Sequence, residues 1–84
     1  KYYELDSALY YYSQVVDKDE HHLDAYVNMG IAYQDKGDIT NALKNYSQAL
    51  AIKPEERGGL VTLNQFNEQQ EMARSRAKEL KKKL

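Results

Sequence analysis

The spacing of apolar residues along the chain predicts four helices separated by short polar breaks. One helix face is formed by residues spaced three, one and three apart, at the period of an α-helix: Tyr26, Met29, Gly30 and Tyr33. Gly37-Asp38 then provides a break, since glycine suits the left-handed end of one helix and aspartate caps the next. Lys53-Pro54 ends the following helix, because proline disfavours the helical conformation of the residue before it. The predicted helices span residues 3–17, 24–35, 39–52 and 57–83.

The chain repeats itself at a separation of 34 residues. Ala8-Leu9 falls on Ala42-Leu43, and Tyr12-Ser13-Gln14 falls on Tyr46-Ser47-Gln48. Within each copy, the alanine and the tyrosine four positions later share one helix face. A fixed period that carries a small residue and then an aromatic one indicates a recurring helical unit.

Residues 23–56 resemble one complete tetratricopeptide repeat. The positions that carry the resemblance, in the family's order, are Tyr26, Met29, Gly30, Tyr33, Ala42, Tyr46, Ala49 and Pro54. Residues 1–20 resemble the second helix of a preceding repeat, although Tyr3 and Glu20 replace its turn glycine and its proline. Residues 57–84 match weakly and resemble the capping helix that closes such arrays. The resemblance implies one all-α domain over the whole chain, built as an array of α-helical hairpins.

The last predicted helix carries a second pattern, a stripe whose spacings alternate between three and four. Its members are Leu63, Phe66, Gln70, Ala73, Ala77, Leu80 and Leu84. Such a seven-residue period is typical of a coiled-coil seam. A helix of about 25 residues would be roughly 37 Å long. Its distal half, which carries the basic end of the chain, is therefore expected to project beyond the preceding hairpin.

Composition narrows the class of protein. The chain has 84 residues and no cysteine, which excludes disulfides and thiolate metal sites. No apolar run approaches the roughly 18 residues of a membrane-spanning helix, and no signal-peptide pattern follows Lys1. Without a targeting signal the compartment is unassigned, and the cytoplasm is the default expectation.

The charge is distributed unevenly along the chain. Residues 1–56 carry five lysines against ten acidic residues, whereas residues 72–84 carry six basic residues against Glu79. The basic end raises the alternative of binding to nucleic acid or to an anionic membrane. However, basic residues near a helix C-terminus also complement the helix dipole, and no aromatic residue lies among them. Neither nucleic acid nor membrane is therefore the expected partner.

No constellation of residues predicts catalysis. His21-His22 lies among acidic residues, but adjacent histidines point apart on a helix and no paired metal-ligand spacing is present. Gly58-Gly59 lacks the lysine and hydroxyl residue of a phosphate-binding loop. We therefore expect no enzyme activity, no cofactor and no metal.

The resemblance implies a concave groove lined by the first helix of each repeat. The groove positions implied here are Asp24, Val27, Asn28, Ile31, Gln34, Val61 and Gln65. Some family members clamp the C-terminal carboxylate of a chaperone, but only Asn28 matches that clamp and Asp24 stands where a lysine would be. The apolar, faintly acidic groove suits a helix or extended peptide with basic flanks. The expected function is therefore a non-catalytic scaffold that binds a partner protein.

Self-assembly is the alternative function. A second helix without its own first helix leaves an apolar face open, and the seven-residue stripe provides another. The residues expected at these faces are Leu5, Leu9, Tyr12, Leu63, Phe66 and Leu80. Exposed apolar surface favours association, so this alternative predicts a symmetric homodimer or an exchange of the last helix between chains.

Overall fold

The computed structural model describes the backbone of residues 2–84 and the side chains of residues 4–84. The helices are α1 Tyr2–Lys18, α2 Leu23–Lys36, α3 Ile39–Ala51 and α4 Leu63–Lys81, with a short 3₁₀ helix Pro54–Glu56 between the last two. Helix α2 contacts α1, α3 and α4 and therefore lies at the centre. The predicted all-α fold is confirmed. Within the described residues, no helix has the length and apolar character needed to cross a membrane.

Local capping interactions fix the hairpin of α2 and α3. Nδ1 of His22 accepts a hydrogen bond from the backbone N–H of Ala25 at 3.2 Å and so begins α2. Gly37 ends that helix with a φ of 85°, a left-handed conformation that would strain a side chain. Asp38 then caps α3, because its carboxylate accepts from the backbone N–H of Asn41 at 3.2 Å. The predicted break at Gly37-Asp38 is confirmed.

The hairpin is closed by an aromatic ring lying against a glycine. The Tyr46 side chain is fully buried. An ideal Cβ built on Gly30 would lie 2.6 Å from Cδ1 of Tyr46, closer than real Cβ atoms approach a neighbour. Glycine at this point of α2 therefore lets the tyrosine ring of α3 pack directly on the backbone.

Helix α1 packs against α2 through a second apolar cluster. Leu9 is buried and forms a cluster with Met29 and Ala32, against which Leu5 and Tyr12 are partly buried. The expectation that Leu5, Leu9 and Tyr12 form an open self-association face is therefore wrong. Helix α2 covers that face within the same chain.

Helix α4 begins six residues later than predicted. Residues 57–62 form a loop, and the helix starts at Leu63. Thr62 and Gln65 form a capping box: the Thr62 hydroxyl accepts from the Gln65 N–H, and Oε1 of Gln65 accepts from the Thr62 N–H. Each bond satisfies a backbone donor that the first helical turn leaves unpaired. The helix start at residue 57 is thus corrected.

The stripe on α4 is a seam within the chain. Its buried members are Phe66, Ala73, Ala77 and Leu80, which share one core with α2 and α3. Nε2 of Gln70 donates to the carbonyl oxygens of Ala49 at 3.1 Å and Ile52 at 2.8 Å, at the end of α3. Phe66 and Leu80 are therefore unavailable for self-association, and the distal half of α4 does not project. Leu63, at the start of the stripe, remains about half exposed.

Candidate functional site

A cleft of about 380 Å³ lies where the turn between α1 and α2 faces the loop of residues 57–62 and the first turns of α4. We call it the loop cleft. Leu23 and Phe66, both buried, contribute apolar lining. Leu60 and Val61 line it from the loop, and Leu60 is 98% exposed. An exposed leucine beside an apolar depression is a surface that a second apolar side chain can cover.

The polar groups of the loop cleft are predominantly acidic where they are not used internally. Asp19 and Asp24 line it from the turn and from α2. The Arg57 guanidinium is turned to the loop backbone, donating from Nε to the Val61 carbonyl oxygen at 3.1 Å and from Nη1 to that of Pro54 at 2.8 Å. Arg57 therefore holds the loop in shape. Oδ1 of Asp19 accepts a hydrogen bond from the backbone N–H of His21 at 3.1 Å, so the Asp24 carboxylate and the second oxygen of Asp19 remain to face a ligand.

Only part of the expected groove is open. Asp24, Val61 and Gln65 come together in the loop cleft, as the resemblance implies for residues on one groove. Val27 is 1% exposed and shares the core with Phe66. Its assignment to an open groove is wrong, because α4 packs on α2 there.

The rest of the groove positions lie along α2, away from the loop cleft. Asn28 is half-buried, and Ile31 packs partly against the core. Oε1 of Gln34 accepts a hydrogen bond from the Tyr46 hydroxyl at 2.8 Å and a longer one from Nη1 of Arg76 at 3.3 Å. Gln34 thus joins α2, α3 and α4, and its polar atoms serve the fold.

The contribution of the loop differs from what the sequence predicts. The helix predicted from residue 57 would give Leu60 an ordinary helical position. The observed loop instead places Leu60 at the edge of the cleft. Two signals for the loop were present: Gly58-Gly59, which disfavours a helix, and the capping pattern of Thr62 followed by Gln65. No comparable signal marks Asp19, which the tertiary structure brings to the cleft.

A comparison with known protein families finds a match for the central part of the chain. The family model of the tetratricopeptide repeat matches residues 23–56. These residues are a tetratricopeptide repeat. Proteins with such repeats are generally non-enzymatic and generally bind protein partners. Neither the search of curated proteins nor that of solved structures finds a match. The loop cleft is formed partly by the repeat, through Leu23 and Asp24, and partly by residues on either side of it.

The two histidines in front of the repeat have structural partners. His22 caps α2, and Nε2 of His21 lies 3.2 Å from Oε2 of Glu56 at the other end of the repeat. Across residues 4–84, no three histidine, aspartate or glutamate side chains are grouped as metal ligands. The histidines therefore help shape the turn at the loop cleft.

The basic end of the chain is partly engaged with the repeat and with itself. Arg76 reaches Gln34 of the repeat, as described above. Arg74 pairs with Glu71 at 2.6 Å, and Lys82 pairs with Glu79 at 3.4 Å. These exposed pairs contribute little to stability. However, each places a carboxylate beside a basic side chain, which weakens the attraction of that side chain for a phosphate ligand.

Proposed function

We propose that this chain is a non-catalytic protein-interaction module that binds a peptide or helix of a partner protein in the loop cleft. The observation that carries the proposal is the position of Leu60 and Val61, exposed beside an apolar cleft of about 380 Å³. The neighbouring repeat supports it, because such repeats generally bind proteins.

The lining of the loop cleft favours a partner of particular chemistry. Leu23, Phe66 and the loop residues suit an apolar side chain, whose full burial is worth about 1.5–3 kcal/mol. Asp19 and Asp24 suit a lysine or arginine beside that anchor. The C-terminal carboxylate of a chaperone is not the proposed ligand, since it would approach Asp24 rather than a cation.

A selection from a random peptide library displayed on phage tests the proposal. We expect enriched peptides to combine a large apolar residue with a neighbouring lysine or arginine. Val61→Glu should weaken the binding of a selected peptide about tenfold or more, because a carboxylate enters the apolar lining. Asp24→Lys should weaken it through repulsion of the basic residue. Isothermal titration calorimetry measures both effects.

A matched control separates the loop cleft from the general charge of α2. Asp35 is exposed near the other end of the helix, so Asp35→Lys should leave affinity nearly unchanged. Circular dichroism checks that each variant keeps its helices. A selection without binders, or binders indifferent to Val61→Glu, would contradict the proposal.

The two alternative functions have less support. The faces expected to drive self-assembly are largely covered within the chain by α2 and by the packing of α4. The basic end has Arg74, Arg76 and Lys82 engaged in contacts within the chain. We therefore propose neither self-assembly through these faces nor binding of nucleic acid or membrane by the basic end.

A further inference from the structure

One helix face remains open on α1, and it is not the face expected from the sequence. Five residues spaced four, three, four and three apart form a line along the helix: Glu4, Ala8, Tyr11, Val15 and Lys18. We call it the α1 line. Tyr11 is 62% exposed, its two end residues are exposed, and Ala8 and Val15 are only partly buried. This seven-residue period is the one that two helices need to stay in contact along their length.

The internal repeat allows the α1 line to be compared with the equivalent positions on α3. Shifted by 34 residues, its four last positions fall on Ala42, Asn45, Ala49 and Ile52 of α3, where exposure is 0%, 9%, 0% and 6%. Helix α3 is packed against both α2 and α4, whereas α1, over its described residues, contacts α2 alone. Among the described residues, α1 therefore has one packed helix fewer than α3. In addition, Tyr11 provides a large aromatic side chain where α3 has Asn45.

We propose that the α1 line is covered by the α1 line of a second copy of this chain, in an antiparallel pair about a twofold axis at Tyr11. This register sets Tyr11 against Tyr11 of the second copy. Glu4 then lies opposite Lys18 of the second copy, and the smaller Ala8 lies within one residue step, about 1.5 Å, of the level of Val15. The twofold axis makes the charge pair and the apolar pair each occur twice.

Self-complementarity is what favours a second copy over another helix. A charge order that is acidic at one end and basic at the other is attractive only in the antiparallel arrangement. The two tyrosines at the axis supply the largest apolar area, and the alanine leaves room for the valine opposite. No residue of the line belongs to the two hydrophobic clusters of the described chain, so pairing leaves those clusters in place.

The size of the contact sets the strength to expect. A single pair of helices buries less than the roughly 1,200 Å² of a stable interface, so the dimer should be weak. The dimer should therefore form reversibly with concentration. This inference is independent of the loop cleft and holds whether or not a peptide binds there.

Sedimentation equilibrium across a hundredfold concentration range tests the dimer. The average mass of the unaltered chain should rise toward twice that of the monomer. Tyr11→Lys should abolish the rise, because it removes the central aromatic pair and places two cations at the axis. Tyr10→Lys is the matched control: Tyr10 is 68% exposed on the same helix but lies off the line, so the dimer should remain. Circular dichroism should show unchanged helicity in both.

Charge exchange tests the antiparallel register itself. Glu4→Lys and Lys18→Glu should each weaken the dimer about tenfold, since each converts both attractive pairs into repulsive ones. The double variant Glu4→Lys/Lys18→Glu should restore it, and a mixture of the two single variants should form a heterodimer. A constant monomer mass would overturn the proposal and leave the line to a helix of another protein. A dimer that ignores either the Tyr11 or the charge variants would overturn it as well.

Discussion

At the scale of single residues, Gly30 and Tyr46 determine how closely the two helices of the repeat approach. The ring of Tyr46 occupies the space where a Gly30 side chain would begin, and its hydroxyl donates to Gln34 at 2.8 Å. The ring therefore cannot swing away without losing a hydrogen bond. Burial is also the main reason that the pKa of the Tyr46 hydroxyl is raised, with the Arg76 guanidinium opposing that shift.

We expect Gly30→Ala to destabilise the protein by about 1–3 kcal/mol, because overpacking against Tyr46 outweighs the better helix propensity of alanine. Urea denaturation followed by circular dichroism measures the change. Gly59→Ala is the control, since no atom lies within 4 Å of a Cβ built there. The control should stay within about 0.5 kcal/mol of the parent. A stabilised Gly30→Ala variant would show that the helices can separate freely.

At the scale of helices, α4 differs most from the prediction. The seven-residue stripe forms an apolar seam, as its spacing predicts, but the partner of this seam is the hairpin of the same chain. The late start at Leu63 leaves residues 57–62 free to form the loop cleft. The distal half of α4, through Leu80, packs against the core. The position of the helix start thus decides where the site forms, and the docking of α4 decides which surface is buried.

Leu80→Ala tests the docking of the distal half of α4. Leu80 is 2% exposed, so its truncation should cost about 2–5 kcal/mol in the free energy of unfolding. Leu84→Ala removes the same group from a side chain that is 78% exposed and should change stability by less than about 0.5 kcal/mol. Equal effects of the two substitutions in urea denaturation would argue for a projecting helix end.

The cap of α3 gives an expected response to acid. Hydrogen bonds from the side chain and then the backbone N–H of Asn41 lower the pKa of Asp38 below its ordinary 3.8. A lowered pKa adds stability above the unfolded value, and this stability is lost as pH falls through the folded value. Asp38→Asn keeps a capping acceptor but cannot ionise. Its Tm should therefore lie below that of the parent at neutral pH, with the gap closing as pH drops below 3.8.

Thermal melts from neutral to strongly acidic pH, followed by circular dichroism, measure this gap. A gap that stays constant over the whole pH range would show that the charge of the Asp38 carboxylate does not contribute to the stability of the cap.

At the scale of the whole molecule, α2 is the central element. It packs against each of the other three helices, whereas the part of α1 that the structure describes packs against α2 alone. The ion pair between Lys36 and Asp6 ties the end of α2 to α1 and is the main reason that the pKa of Lys36 is raised. Local stability should therefore decrease outward from α2.

Hydrogen exchange measured by mass spectrometry tests this order. Amides of α2 and α3 should exchange slowest, those of α1 faster, and those of residues 57–62 fastest, because protection follows the number of buried contacts around each element. Dimerisation through the α1 line would slow α1 selectively as concentration rises. Protection of α1 equal to that of α2 in the monomer would contradict the predicted order.

The sequence by itself determined the local architecture. The apolar period placed α1, α2 and α3 to within about two residues at each end, and the eight signature positions identified the repeat at 23–56. The break at Gly37-Asp38 was also readable, because a left-handed glycine and a capping aspartate act on neighbouring backbone groups. Such interactions depend only on residues a few positions apart.

Only the tertiary structure decided which apolar faces stay open. Val27 and Phe66 have the same apolar character whether they meet solvent or each other, so their burial depended on where α4 docks. Asp19 and Leu60 are 41 positions apart in the sequence. They line the same cleft only because the folded chain brings the turn between α1 and α2 next to the loop of residues 57–62. The α1 line was hidden for the same reason. The exposure of the line depends on how many helices pack against α1, and no local sequence pattern determines that number.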